Sequence, residues 1–135
     1  MRAVMAYLLA PVAGLLVFAA IWASPLLAYA RPDVDFLGLV WAIAGGIVVP
    51  AFAVVLALSL GVMFLVRARF GGSWWAAAGG GVALYLAAFA LLGMHFGFAR
   101  IFANPYWLAG LLLGGLLHGL VFRGLVGPGR AVRGV

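Results

Sequence analysis

The sequence predicts an all-α, polytopic membrane protein with four transmembrane helices and both termini on the cytoplasmic side (N-in/C-in). Three observations predict it. Of 135 residues, 69% are hydrophobic and only 7% charged, whereas charged residues make up about a quarter of a soluble domain; the mean hydropathy is +1.31. Four apolar runs, each long enough to cross a hydrocarbon core about 30 Å thick, are separated by short connections holding Arg, Asp, Gly and Pro. The arginines divide unevenly: Arg2, Arg67, Arg69, Arg123, Arg130 and Arg133 fall on one side, and Arg31 and Arg100 fall on the other with Asp33 and Asp35. Excess arginine marks the cytoplasmic side.

The whole chain, 1–135, reads as a single transmembrane domain whose connections are too short to form a soluble catalytic domain. The formal net charge of +6 comes from arginine alone, because the sequence has no Lys, and it also lacks Glu, Gln, Thr and Cys. Arginines scattered singly between apolar runs serve topology and do not form the solvated basic face of a nucleic-acid reader. Without cysteine there is no disulfide framework, thiolate metal site or Cys nucleophile. Arginine without lysine, together with abundant Ala, Gly, Leu and Val, points to a GC-rich bacterial source and hence to the inner membrane.

The first helix is expected over about residues 5–29. Its rival is a signal peptide, with Arg2 as the charged region and Ala28-Tyr29-Ala30 as a cleavage site. However, the apolar run from Ala3 to Ala23 exceeds the usual ~7 to 15 residue core of such signals. Ser24-Pro25 should bend or end the outer turn of this helix. Asp33 or Asp35 can then cap the second helix by accepting backbone N–H bonds at its positive end. An Asp-x-Asp pair with no further oxygen ligand nearby is not a metal site.

The second helix, about 36–66, is longer than a perpendicular span requires, so it should be tilted, kinked near Pro50, or protruding. Pro50 removes a backbone donor, which a membrane tolerates when a neighbouring helix covers the freed group. Arg67 and Arg69 hold the end of that helix, Gly71-Gly72 reverse the chain, and Ser73 is placed to cap the third helix, about 73–95. Trp74-Trp75 mark the interface. Gly79, Gly80 and Gly81 allow close helix approach; no strand precedes them and no P-loop residues follow, so they are not a phosphate cradle. His95 to Ala103 form an aromatic connection, Asn104-Pro105 supply a cap and first-turn proline, and the fourth helix runs over about 105–126. Gly127-Pro128-Gly129 stop it, leaving a basic cytoplasmic tail, 127–135.

That fourth helix is the most informative element. Gly110, Gly114, Gly115 and Gly119 spread over one half of its surface, with His118 near the middle of that half and Leu112, Leu113, Leu116 and Leu120 opposite. His118 therefore faces protein. As an intramembrane ionisable group it is the sharpest candidate site, and its structural reading is hydrogen bonding to Ser59 or Tyr85 as packing glue. The predicted interface comprises Gly79, Gly80, Gly81, Gly110, Gly114, Gly115, His118 and Gly119, with Ser59, Tyr85 and His118 as buried polar groups and Pro50 as the kink.

No catalytic or metal site is expected. Ser59 with His118 is a formal dyad without an orienting acid or oxyanion donors. A haem shared by His95 and His118 fails on depth, because the two differ in height by about 15 Å at 1.5 Å per residue; His118 alone is a weak ligand signal. Ion-coupled transport lacks a membrane carboxylate, a water-lined pore lacks a polar stripe, and no internal repeat points to a transporter. The leading reading is a non-catalytic inner-membrane accessory, assembly or inhibitory subunit that packs against a larger membrane partner or itself through the Gly-rich faces of its third and fourth helices. The alternatives are a small channel, pore or carrier using His118 and the Pro50 kink, and a haem-carrying redox subunit.

Overall fold

The computed structural model describes residues 1–28, 35, 38, 44–99 and 105–127. Among these the chain is helical, with no strand: α1 (Arg2–Ala28), a π-helical turn (Ala44–Val48), α2 (Val49–Phe70), α3 (Trp74–Phe96) and α4 (Trp107–Val126). Four segments, Arg2–Ser24, Val49–Phe70, Trp74–His95 and Trp107–Val126, are long and apolar enough to cross a membrane.

Several boundaries differ from expectation for identifiable reasons. α1 does not end at Ser24-Pro25 but continues to Ala28. Pro25 cannot donate to the carbonyl of Ile21, four residues back, and the Ser24 hydroxyl donates to that same carbonyl at 2.7 Å. α2 runs four residues past its expected end. On its other side the π-helical turn lies immediately before Pro50, and its wider ring is a recognised way for a helix to absorb an irregularity. Asp35 Oδ1 accepts the N–H of Gly38 at 3.1 Å, the geometry of an N-cap; Asp33 lies outside the described residues.

Ser73 holds the N-cap position of α3, but its side chain makes no capping bond. Tyr106 occupies the corresponding position of α4, so that helix starts two residues later than the Asn104-Pro105 pattern suggests; Asn104 lies outside the described residues. Gly71, Gly97 and Gly127 follow α2, α3 and α4 with positive φ, a conformation that stops a helix at little steric cost in glycine.

The helices form an antiparallel ring in the order α1, α4, α3, α2. Tyr7 meets Phe122 and Gly14 meets Gly114, so α1 and α4 run in opposite directions. Gly81 abuts Gly115 and Ala77 abuts Gly119, which gives the same relation for α3 and α4. These contacts are at backbone level: a methyl on Gly114 would lie 2.6 Å from the Gly14 carbonyl oxygen, one on Gly115 would lie 2.8 Å from the Gly81 oxygen, and one on Gly119 would overlap the Ala77 carbonyl. Gly80 instead receives Val66 of α2. α1 and α2 meet more loosely, leaving an apolar cleft of about 190 Å³ lined by Val12, Leu15, Leu16, Val48, Val49 and Phe52.

Two apolar clusters fill the interior. Leu15, Phe18, Val55, Leu84, Phe89 and Leu111 belong to the larger, and Ala6, Ala10, Met63 and Phe122 form the smaller. Every glycine expected at a packing face does pack except Gly79, which is exposed and borders open space. Its neighbours Gly80 and Gly81 already point to α2 and α4, and a third consecutive residue turns a further 100° away.

This division predicts opposite outcomes on one helix pair. Gly119→Ala and Gly115→Ala should destabilise the protein by about 1–3 kcal/mol through overpacking against backbone, whereas Gly79→Ala should leave stability within about 0.5 kcal/mol, as surface substitutions do. Equilibrium unfolding in mixed micelles measures both.

Candidate functional site

The two apolar clusters meet at a polar node to which all four helices contribute. Ser59 of α2 lies between Val55 and Met63, and His118 of α4 lies between Leu111 and Phe122; in each helix one flanking residue belongs to each cluster. Tyr85 of α3 and the Pro11–Gly14 turn of α1 complete it. Ser59, Tyr85 and His118 are all 0% exposed.

The geometry follows from small residues beside large ones. Flanked by Gly114, Gly115 and Gly119, α4 comes close enough to its neighbours for the His118 ring to reach across the bundle to α2, where Ser59 Oγ and His118 Nε2 are 3.1 Å apart. The Tyr85 ring stands edge-on to the imidazole, with centroids 5.7 Å apart and planes at 79°. Its hydroxyl donates to the Pro11 carbonyl at 3.4 Å and packs on Gly14, where any side chain would displace it. Sequence reasoning placed Ser59, Tyr85 and His118 as buried polar groups, and the structure brings all three together.

His118 Nδ1 is buried without a hydrogen-bond partner. Its state follows from a count of donors. If Ser59 O–H donates to Nε2, only Nδ1–H is left over. If Nε2–H donates to Ser59, both the hydroxyl proton and Nδ1 lack partners. The count favours a neutral imidazole carrying its proton on Nδ1 and accepting from Ser59. Leaving one buried polar group unmatched costs about 1–3 kcal/mol, a penalty the tight surroundings impose on this position.

Chemically the node is a closed hydrogen-bonded pair with an aromatic wall. Among the described residues no carboxylate joins the Ser–His pair; Asp35 lies in the connection before α2. Among the described residues no group of three His, Cys, Asp or Glu side chains could hold a metal. His95 is ten positions beyond Tyr85 on α3, about 15 Å along the axis, so the two imidazoles do not face a common iron. The apolar cleft beside Pro50 is lined by none of Ser59, Tyr85 and His118, and touches the node's α1 turn at Val12.

Sequence reasoning missed two contributors. Pro11 and Gly14 passed unremarked inside an apolar run, although Gly14 is the only glycine of α1 and so marked where a bulky side chain from another helix could enter. Arg123, in the sequence only one of six arginines on one side, donates from Nε to the Gly72 carbonyl, and its guanidinium lies 4.9 Å over the Trp74 ring. It therefore ties the end of α4 to the start of α3.

The node makes a double-mutant cycle informative. Ser59→Ala should destabilise the protein by about 1 kcal/mol and His118→Phe by a similar amount, while the double variant should cost less than the sum, with a coupling of about 0.5–1.5 kcal/mol, the range of interhelical hydrogen bonds in membranes. Unfolding free energies in mixed micelles measure it, and strict additivity would show that the contact contributes nothing.

Comparison of the chain with protein-family models, curated proteins and solved structures finds no match, so the node and the helix faces around it are what bears on function.

Proposed function

We propose that this chain is a non-catalytic, multi-pass subunit of the bacterial inner membrane that docks another transmembrane helix and so serves the assembly, stabilisation or inhibition of a larger membrane partner, or of a homo-oligomer. The observation that carries this reading is how the small residues are divided. Glycines of α3 and α4 that face inward are consumed within the bundle, whereas Gly79, Ala83, Ala87 and Ala90 are exposed along one side of α3. Their spacing of four, four and three residues keeps them on one face, the small-x-x-x-small pattern that lets two membrane helices approach closely.

The interior supports the same reading. Its chemistry-bearing side chains, Ser59, Tyr85 and His118, are sealed and engaged with one another, which suits packing and not turnover. A channel, pore or carrier would need a polar path joining His118 to a bundle end, and the described cleft at Pro50 is lined by apolar side chains alone. A redox role would need His118 to open toward a cofactor; Ser59 holds its Nε2 instead.

Gentle purification followed by mass spectrometry tests the proposal. A protein partner or a second copy should co-purify, and Gly79→Leu should abolish that association while leaving the unfolding free energy unchanged. A monodisperse monomer with no co-purifying protein overturns it.

Orientation has its own test. The six-to-two division of arginine supports both termini in the cytoplasm. Because the chain has no cysteine, single substitutions report cleanly: in intact cells a membrane-impermeant maleimide should label Asp35→Cys and spare Ser73→Cys.

A further inference from the structure

Arg67 and Arg123 converge where α2 and α4 end and α3 begins. They line one cavity, with Met63, Gly72, Ser73 and Ala76 among the other walls, and both are half-buried. Arg123 uses Nε on the Gly72 carbonyl and stacks on Trp74; its remaining N–H donors have no partner among the described residues. The Arg67 guanidinium has no hydrogen bond or ion pair among them either. Among the described residues no side chain neutralises the pair locally: the one carboxylate side chain there is Asp35, in the connection at the far end of α2. Ser73 adds to the imbalance, because its hydroxyl does not cap α3 and the first N–H groups of that helix stay open to an acceptor.

From this convergence we infer that the two arginines at the mouth of the cavity bind a phosphate group, carried by an anionic phospholipid or free. Two guanidiniums present planar arrays of donors suited to phosphate oxygens, and basic pockets between helices at a membrane surface recognise such headgroups. The cavity itself, about 20 Å³ and walled chiefly by apolar surface, is too small to hold a phosphate. A phosphate therefore sits at the mouth, where the half-buried arginines reach the surface, with its ester chain along the exposed apolar surface of Phe70 and Trp75. The Trp74 ring under the Arg123 guanidinium, 4.9 Å from its centre, limits the side chain's freedom and so the ordering cost of binding.

Native mass spectrometry of the full-length protein in an uncharged detergent tests the site, using phosphatidylglycerol, phosphatidic acid, phosphatidylcholine and inorganic phosphate as separate probes. The two anionic lipids should bind at least about tenfold tighter than phosphatidylcholine, and Arg67→Gln should remove about tenfold of that affinity, the scale of one charge-assisted contact. An unchanged unfolding free energy for Arg67→Gln separates binding from folding; Arg69→Gln, which removes an exposed charge from the same helix end, should change affinity by less than about twofold. Displacement of the lipid by millimolar inorganic phosphate assigns the site to the free ion; resistance to displacement assigns it to the lipid. Equal losses for Arg67→Gln and Arg69→Gln, or no preference for anionic over zwitterionic lipid, overturn the inference.

Discussion

The constraint on which the rest of this structure depends is backbone-to-backbone contact along α4. In hydrocarbon, apolar side chains gain nothing by leaving lipid for one another, so helices associate through van der Waals fit and hydrogen bonds. Gly114 meets Gly14 on one side of α4, and Gly115 and Gly119 meet Gly81 and Ala77 on the other. With α4 drawn in from both sides, every diagonal distance in the bundle shortens. The reach of His118 to Ser59 and of Tyr85 to Pro11 are consequences of that approach.

The polar node in turn fixes register. An apolar bundle of Leu, Ala and Val can slide by a helical turn with modest loss, because one methyl-lined face resembles the next. A buried imidazole has one acceptable partner at one height, and a slip of one turn, about 5.4 Å, strands it in an apolar layer. The node sits at the junction of the two clusters, where it pins all four helices at a single level. This specificity is obtained although His118 Nδ1 remains unmatched.

Legibility in the sequence followed the physics of each feature. Composition and run length carried the four apolar helices, because a spanning segment must be long and uncharged. The face of His118 was readable because glycine periodicity reports which side of α4 is approached. Gly79 was not readable, since three consecutive glycines cannot all face neighbours and the choice among them depends on where α2 and α4 lie. The extent of α1 to about residue 29 was readable from its apolar run, but whether Pro25 bends or ends the outer turn was not, because Ser24 reads equally well as a helix breaker and as the donor that repairs the break. Arg123 illustrates the same limit, as a cation at a helix end has no visible partner until the Gly72 carbonyl and the Trp74 ring are brought beside it.

The Arg123 clamp also makes the bundle mechanically unequal along its length. At that end, α3 and α4 are cross-linked by a hydrogen bond and a stacked ring, and the glycine seam continues from there to the centre. At the other end α1 and α2 part around Val12, Leu16 and Val49, beside a π-helical turn and a proline. Relative motion of α3 and α4 is therefore most restricted at the arginine end of the bundle.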